Sequence, residues 1–250
     1  MPKSPLAPVS DGFTRLPIFP GLKQPTFETL SIMFVAVQIE PLKILKLQEN
    51  VVFNKPLPIA VLISGSGSTL KNLIDRQQSG ALAIDIRLVI SSRPSAGGLQ
   101  FAKDEGINNL TISKKSFSTP EAYRDATFDA VRAEKVSLVV MGGFLQHLLI
   151  PKDFHNRVIN IHPSLIPAFS GQGYYGLRVH QAAIDFGVKL SGCTVHFVDD
   201  HYDHGAIILQ QACPVLPNDT AETLQQRVLE LEREALPSAI QIFAKGSNQF

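Results

Sequence analysis

Ile59-Ala60-Val61-Leu62-Ile63 runs directly into Ser64-Gly65-Ser66-Gly67-Ser68-Thr69, and Leu70, Leu73 and Ile74 then recur at helical spacing. A short, almost wholly apolar run reads as a strand covered on both faces. The glycines permit a tight turn and close backbone approach. The helix that follows points its free N–H groups past the carboxyl end of the strand, where they form a site for an anion, most often a phosphate. A plain strand-to-helix turn is the simpler alternative for Gly-x-Gly alone. The Gly-Lys-Ser/Thr ending of a P-loop is missing, and Leu70 stands where a dinucleotide fingerprint has its third glycine, so a single phosphate fits better than a pyrophosphate.

Working outward, the alternation continues. Strands are expected over 84–90, 110–112, 138–141, 158–161, 191–198 and 206–211. Helices are expected over 96–105, 120–134, 180–186 and about 220–244, the last with Val228, Leu231 and Ala235 on one face. Alternating strand and helix imply an α/β fold, a Rossmann-like, mostly parallel sheet with helices on both faces.

The stretch before this pattern differs. Residues 1–57 carry eight of the 17 prolines, and the first 27 residues hold one acid, Asp11, against Lys3, Arg15 and Lys23. Such proline density blocks long helices. With a single Arg, the stretch is also a poor match to an amphipathic transit peptide. It reads as a poorly ordered extension (1–57) ahead of a catalytic domain over 58–250.

The chain has 250 residues and net charge +1, with 18% charged and 44% hydrophobic residues. This composition excludes a wholly disordered chain and shows no basic stripe for nucleic acid. No apolar run approaches a membrane span, the longest candidate being Ile32 to Val37. Cys193 and Cys213 cannot staple a fold of this size and read as small core residues, which points to a reducing, cytoplasmic setting.

All seven histidines lie between His147 and His204. In Asn160-Ile161-His162-Pro163, side chains at i and i+2 share one face of a strand, so Asn160 and His162 project together while Ile159 and Ile161 face the core. A polar pair at the carboxyl end of an apolar strand is where open α/β sheets hold ligands. A buried His beside a structural Asn is the simpler alternative. The run from His196 to His204 is dense in titratable groups. It suits either a metal or an acid, Asp203 or Asp200, that raises the pKa of His162 and holds its ring. The His201/His204 spacing suits a helix face rather than the expected loop, which disfavours the metal. Glu232 is either a solvated helix position or a carboxylate facing ligand hydroxyls.

Val61 to Ser68, Gly142-Gly143-Phe144-Leu145, Asn160 to Pro167, Gly192 to Val198 and Asp203 to Gln210, in this order, resemble the folate-dependent glycinamide ribonucleotide formyltransferases of purine synthesis. The resemblance runs from about Ile59 to Ala244. It implies catalytic roles for Asn160, His162 and Asp203, a substrate-phosphate loop at Gly67, Ser68 and Thr69, and a ribose contact at Glu232. It also implies a folate pocket along Phe144, Leu145, His147 and Leu148, covered by a loop that includes Val198, Asp199 and Asp200. The implied reaction is formyl transfer from 10-formyltetrahydrofolate to the amine of glycinamide ribonucleotide. Both partners are small molecules, with no nucleic acid or membrane, and the assembly is a monomer or homodimer. The implied oxyanion takes hydrogen bonds from Asn160 and a protonated His162, while Asp203 keeps His162 charged; no metal is required.

Three positions depart from the family pattern. His204 replaces a glycine, Gln146 replaces an arginine, and the 171–176 segment is longer than in short members, either as a flap or as a surface insertion. The competing readings are a formyltetrahydrofolate deformylase, a methionyl-tRNA formyltransferase and a non-catalytic binding module. The first lacks room here for its extra domain and tends to read His-His-Ser where this chain has His162-Pro163-Ser164. The second lacks an RNA-binding domain after the core. Intact Asn160, His162 and Asp203 argue against the third.

Overall fold

The five residues Ile59 to Ile63 have no accessible surface, as expected for a strand in the middle of a sheet. In the computed structural model, which describes residues 55–246, this run lies within β1 (Leu57–Ile63). Most of the expected extension (1–57) falls outside the described residues. Successive residues of β1 serve opposite layers. Ile59, Val61 and Ile63 join a cluster with Leu70, Leu73, Leu224 and Val228, whereas Ala60 and Leu62 join Leu88, Tyr123, Phe128 and Met141.

The remaining strands are β2 (Ile84–Ser91), β3 (Asn108–Thr111), β4 (Leu138–Met141), β5 (Val158–His162), β6 (Leu190–Phe197) and β7 (Ile207–Pro214). The helices are α1 (Ser68–Gln78), α2 (Gly98–Asp104), α3 (Pro120–Ala133), α4 (Leu177–Phe186) and α5 (Ala221–Lys245). The sheet order is β3-β2-β1-β4-β5-β6-β7. The first five strands pair in parallel, and β6 and β7 add on antiparallel. The expected Rossmann-like, mostly parallel α/β sheet is thus observed.

The order in which strands are added reverses about β1, which neighbours β2 on one side and β4 on the other. Such a switch point opens a crevice at the carboxyl ends of the strands. Three loops meet there: Ser64 to Gly67 after β1, Gly142 and Gly143 after β4, and Pro163 onward after β5.

Two helices, α3 and α5, start on side-chain caps, whereas α2 and α4, like α1, start from a glycine without one. Thr119 Oγ1 accepts from the Ala122 N–H at 3.1 Å, with Pro120 in the first turn of α3. Thr220 and Thr223 form a reciprocal cap on α5. By contrast, α1 starts from Gly67 at φ 81° with no side-chain cap. A Cβ at Gly67 would sit 2.4 Å from Gly98 Cα, so the first turns of α1 and α2 approach closely only through glycine. Among the described residues, no helix is long and apolar enough to cross a membrane.

Candidate active site

Asn160 sits opposite His196 and His162 opposite Thr194 in the β5–β6 ladder. Directly opposed residues point to the same face, so the register itself brings His196 to Asn160, with Nδ2 and Nε2 3.2 Å apart. His196 Nδ1–H donates to the Phe197 carbonyl at 2.7 Å. In the neutral ring Nε2 is then an acceptor, and the Asn160 amide N–H donates to it.

Pro163 ends the ladder, and the chain curls so that the Phe169 carbonyl lies 2.9 Å from His162 Nε2. A carbonyl only accepts, so Nε2 carries the proton and Nδ1 faces Asp203 Oδ2 at 3.4 Å. Asp203 reaches this position from a turn with φ 50°. Its Oδ2 accepts the Gly171 N–H at 2.8 Å and its Oδ1 lies 3.7 Å from His196 Nε2. Burial alone would raise the Asp203 carboxyl. The neighbouring rings of His196 and His162, together with the Gly171 N–H, outweigh burial and hold it below the usual carboxylate range.

The expectation that Asp203 keeps His162 charged is corrected here. His162 is only 4% exposed, and burial lowers its pKa more than the Asp203 charge and the Phe169 carbonyl raise it. The ring is therefore neutral at pH 7 in the ligand-free protein.

These groups form one wall of a cavity of about 730 Å³, with Ser66, Ser68 and Thr69 along another stretch of its lining. Glu232 is half-buried and lines the same cavity. Among the described residues no hydrogen bond or ion pair reaches its carboxyl, and burial pushes the pKa up to about 7. Phe144, Leu145 and the 171–176 segment also line this cavity, so that segment is a wall of the site rather than a detached insertion. Gly67 is buried beneath the loop and shapes it, while Ser66 and Ser68 face outward.

A smaller lobe of about 60 Å³ adjoins, sharing Phe144, Asn160, Tyr202 and Asp203 with the larger cavity. His147, Leu148, Val198 and Asp199 line it, as does Gln146, the residue that departs from the family arginine. Asp200 lines neither lobe. Its Oδ1 accepts the Ile150 N–H at 2.9 Å and its carbonyl meets His147 Nε2 at 2.9 Å, so it fastens two loops together. Cys193 and Cys213 are buried and unpaired, with the Cys193 thiol pushed up to about 12 by burial, as suits core residues.

Three lining or supporting groups were not singled out from sequence. His196 was one titratable residue among many until strand register paired it with Asn160. His180 lies on α4, 1% exposed; burial foremost, and the nearby His162, push its ring down to about 4, and its Nδ1 has no partner among the described residues. Gln225 lines the large cavity one turn before Val228 and Leu229. Helical periodicity could have brought Gln225 and Glu232 near one another on α5, but nothing in sequence says which face meets a cavity.

Residues 57–240 match the formyl transferase family. The chain belongs to the formyl transferase family. The trifunctional purine biosynthetic protein adenosine-3 of Drosophila melanogaster is 43% identical over 193 residues, covering 76% of this chain and 14% of the fly protein. The chloroplastic phosphoribosylglycinamide formyltransferase of Vigna unguiculata is 39% identical over 180 residues, 70% of this chain and 57% of that protein. This formyl transferase thus spans only part of the length of these relatives. The crystal structure of glycinamide ribonucleotide transformylase 1 from Symbiobacterium toebii superposes with TM-score 0.72 at 39% identity, over 78% of this chain and 90% of that one. The resemblance read from the motifs is borne out, as is the formyltransferase fold.

Proposed function

We propose that this formyl transferase moves the formyl group of 10-formyltetrahydrofolate onto the amine of glycinamide ribonucleotide, a step of purine synthesis. The observation that carries the reading is the convergence of Asn160, His162 and Asp203 on a cavity also lined by Ser66, Ser68 and Thr69 at the start of α1 and by Glu232. An uncapped helix start suits the ribonucleotide phosphate, and an unpartnered carboxylate suits ribose hydroxyls. The smaller lobe, with Phe144, His147, Leu148, Val198 and Asp199, is the proposed end for the pterin.

The amine attacks the formyl carbon, a carbon–nitrogen bond forms, and the carbonyl oxygen becomes an oxyanion. Asn160 donates to that oxygen. His162, neutral before the reaction, takes up charge as the oxyanion forms, because the anion and Asp203 together repay the burial penalty. Preorganised donors of this kind are worth about 3 kcal/mol each. The proton lost by the amine passes by way of Asp203 and His162 to the folate nitrogen as its bond to carbon breaks. Two cavities sharing one wall hold both reactants together and remove much of the entropic barrier to their meeting.

Two unpaired buried cysteines suit a reducing, cytoplasmic setting. The residues before β1 are proposed to be an extension dispensable for catalysis. The test of function is acceptor dependence. Tetrahydrofolate should form at a rate that rises and saturates with glycinamide ribonucleotide. Product formation unaffected by the ribonucleotide would instead indicate a hydrolase.

A further inference from the structure

Asp199, His201 and His204 take no part in the bond-making steps just described; they lie on the loop that borders the smaller lobe, whose lining includes Asp199 and His201. One ligand atom from each lies within 4.8 Å of the other two. His204 Nδ1 is 2.7 Å from Asp199 Oδ2, His201 Nδ1 is 3.7 Å from Asp199 Oδ1, and the two imidazole rings are 5.2 Å apart. We propose that these three residues bind one borderline divalent cation of the zinc class.

The donor set is one carboxylate and two imidazoles. It matches zinc chemistry rather than that of magnesium or calcium, which favour oxygen alone. Tetrahedral zinc with bonds of about 2.0–2.2 Å needs ligand atoms about 3.3 Å apart. The three ligand atoms lie within 4.8 Å of one another, so the rings have to close by up to about 1.5 Å to reach that spacing. Both rings are mostly exposed, at 77% and 69%, so they can turn by the small amount required without disturbing the core.

The backbone beneath is far less free. Asp199 Oδ1 accepts the His201 N–H at 2.8 Å. Asp203 holds a left-handed φ of 50°. Gly205 packs so tightly that a Cβ there would sit 1.9 Å from the Phe197 carbonyl oxygen. The loop, rather than a helix, supplies the geometry. The His201/His204 spacing argued against a metal only while a helix was taken as the way to bring the two rings together.

Three protein ligands leave a coordination position open. Asp199 and His201 line the smaller lobe, so an ion here would tie down the loop that borders it. Metal binding itself does not depend on the proposed reaction.

The experiment is titration of the full-length, metal-free protein with Zn²⁺ alone by calorimetry, with Co²⁺ absorption as a second readout. One equivalent of Zn²⁺ should bind saturably. His204→Ala and His201→Ala should each weaken binding at least tenfold, while His155→Ala, an exposed histidine elsewhere, should leave it unchanged. Co²⁺ should give the intense visible bands of a low-symmetry tetrahedral site, lost in His204→Ala. Circular dichroism of the metal-free variants should match the parent, which separates lost ligation from lost folding. No saturable uptake, or uptake of equal affinity in a folded His204→Ala variant, would overturn the proposal.

Discussion

Glu232→Gln should remove a loss of stability that the parent suffers as pH rises, and make a poorer enzyme. The Glu232 carboxyl is pushed from 4.5 to about 7 by burial, and among the described residues it has no hydrogen bond or ion pair. A raised carboxyl favours the protonated form in the fold. Its stabilising contribution is therefore complete below pH 4.5 and is lost as pH rises through about 7. At about 1.4 kcal/mol per pH unit the loss totals about 3 kcal/mol, most of it between pH 5 and pH 7. Glutamine keeps the shape and does not ionise.

Denaturant unfolding of the full chain at pH 5 to 8 should show the parent losing about 2–3 kcal/mol relative to Glu232→Gln across that range. For a domain of this size, this corresponds to about 4–12 °C in midpoint temperature. Any fixed penalty for burying the amide offsets both ends equally, so the slope carries the information. In the same variant the ribonucleotide KM should rise about tenfold or more, because a charged acceptor to the ribose is lost. Parallel stability curves for the two proteins would refute the reasoning, because they would mean that Glu232 is solvated rather than held in a low-dielectric wall.

Other perturbations follow from the same geometry. His162→Ala should lower kcat about 100- to 1000-fold with an unchanged circular dichroism spectrum, since it removes one of the proposed donors to the developing oxyanion. Nitrogen NMR of the ligand-free protein should show the His162 ring neutral at pH 7 and titrating below its usual 6.5, and lower still in Asp203→Asn, which removes the charge that opposes burial. Gly67→Ala should destabilise the fold by about 1–3 kcal/mol and raise the ribonucleotide KM, because a Cβ would meet Gly98 Cα at 2.4 Å and the φ of 81° disfavours it. Removing residues 1–56, up to the start of β1, should leave kcat and KM nearly intact in steady-state assays.

Much of the fold was legible in the chain because its signals are local. Ile59 to Ile63 announced a doubly covered strand, and the helix positions Leu70, Leu73 and Ile74 are all buried. The helix expected over 120–134 is α3, Pro120–Ala133. Within the site, the i, i+2 spacing of Asn160 and His162 gave their shared face before any coordinates. Pairing across strands is non-local, so the place of His196 beside Asn160 had no local signature. The charge of His162 could not be read either. Sequence showed an acid that could raise its pKa, but the opposing penalty depends on how completely β5, β6 and the 164–171 turn enclose the ring. From residue type alone Asp200 looked equivalent to Asp203; in the structure the Asp203 carboxylate faces His162 and the Gly171 N–H, whereas that of Asp200 is engaged by the Ile150 N–H.

The central claim is that the formyl carbon goes to an amine rather than to water. Carbon NMR of a reaction with ¹³C-formyl donor and glycinamide ribonucleotide follows that atom directly. The label should appear as a formamide on the ribonucleotide, in equal amount to the tetrahydrofolate formed. Label recovered as free formate, with the ribonucleotide unmodified, would contradict the account.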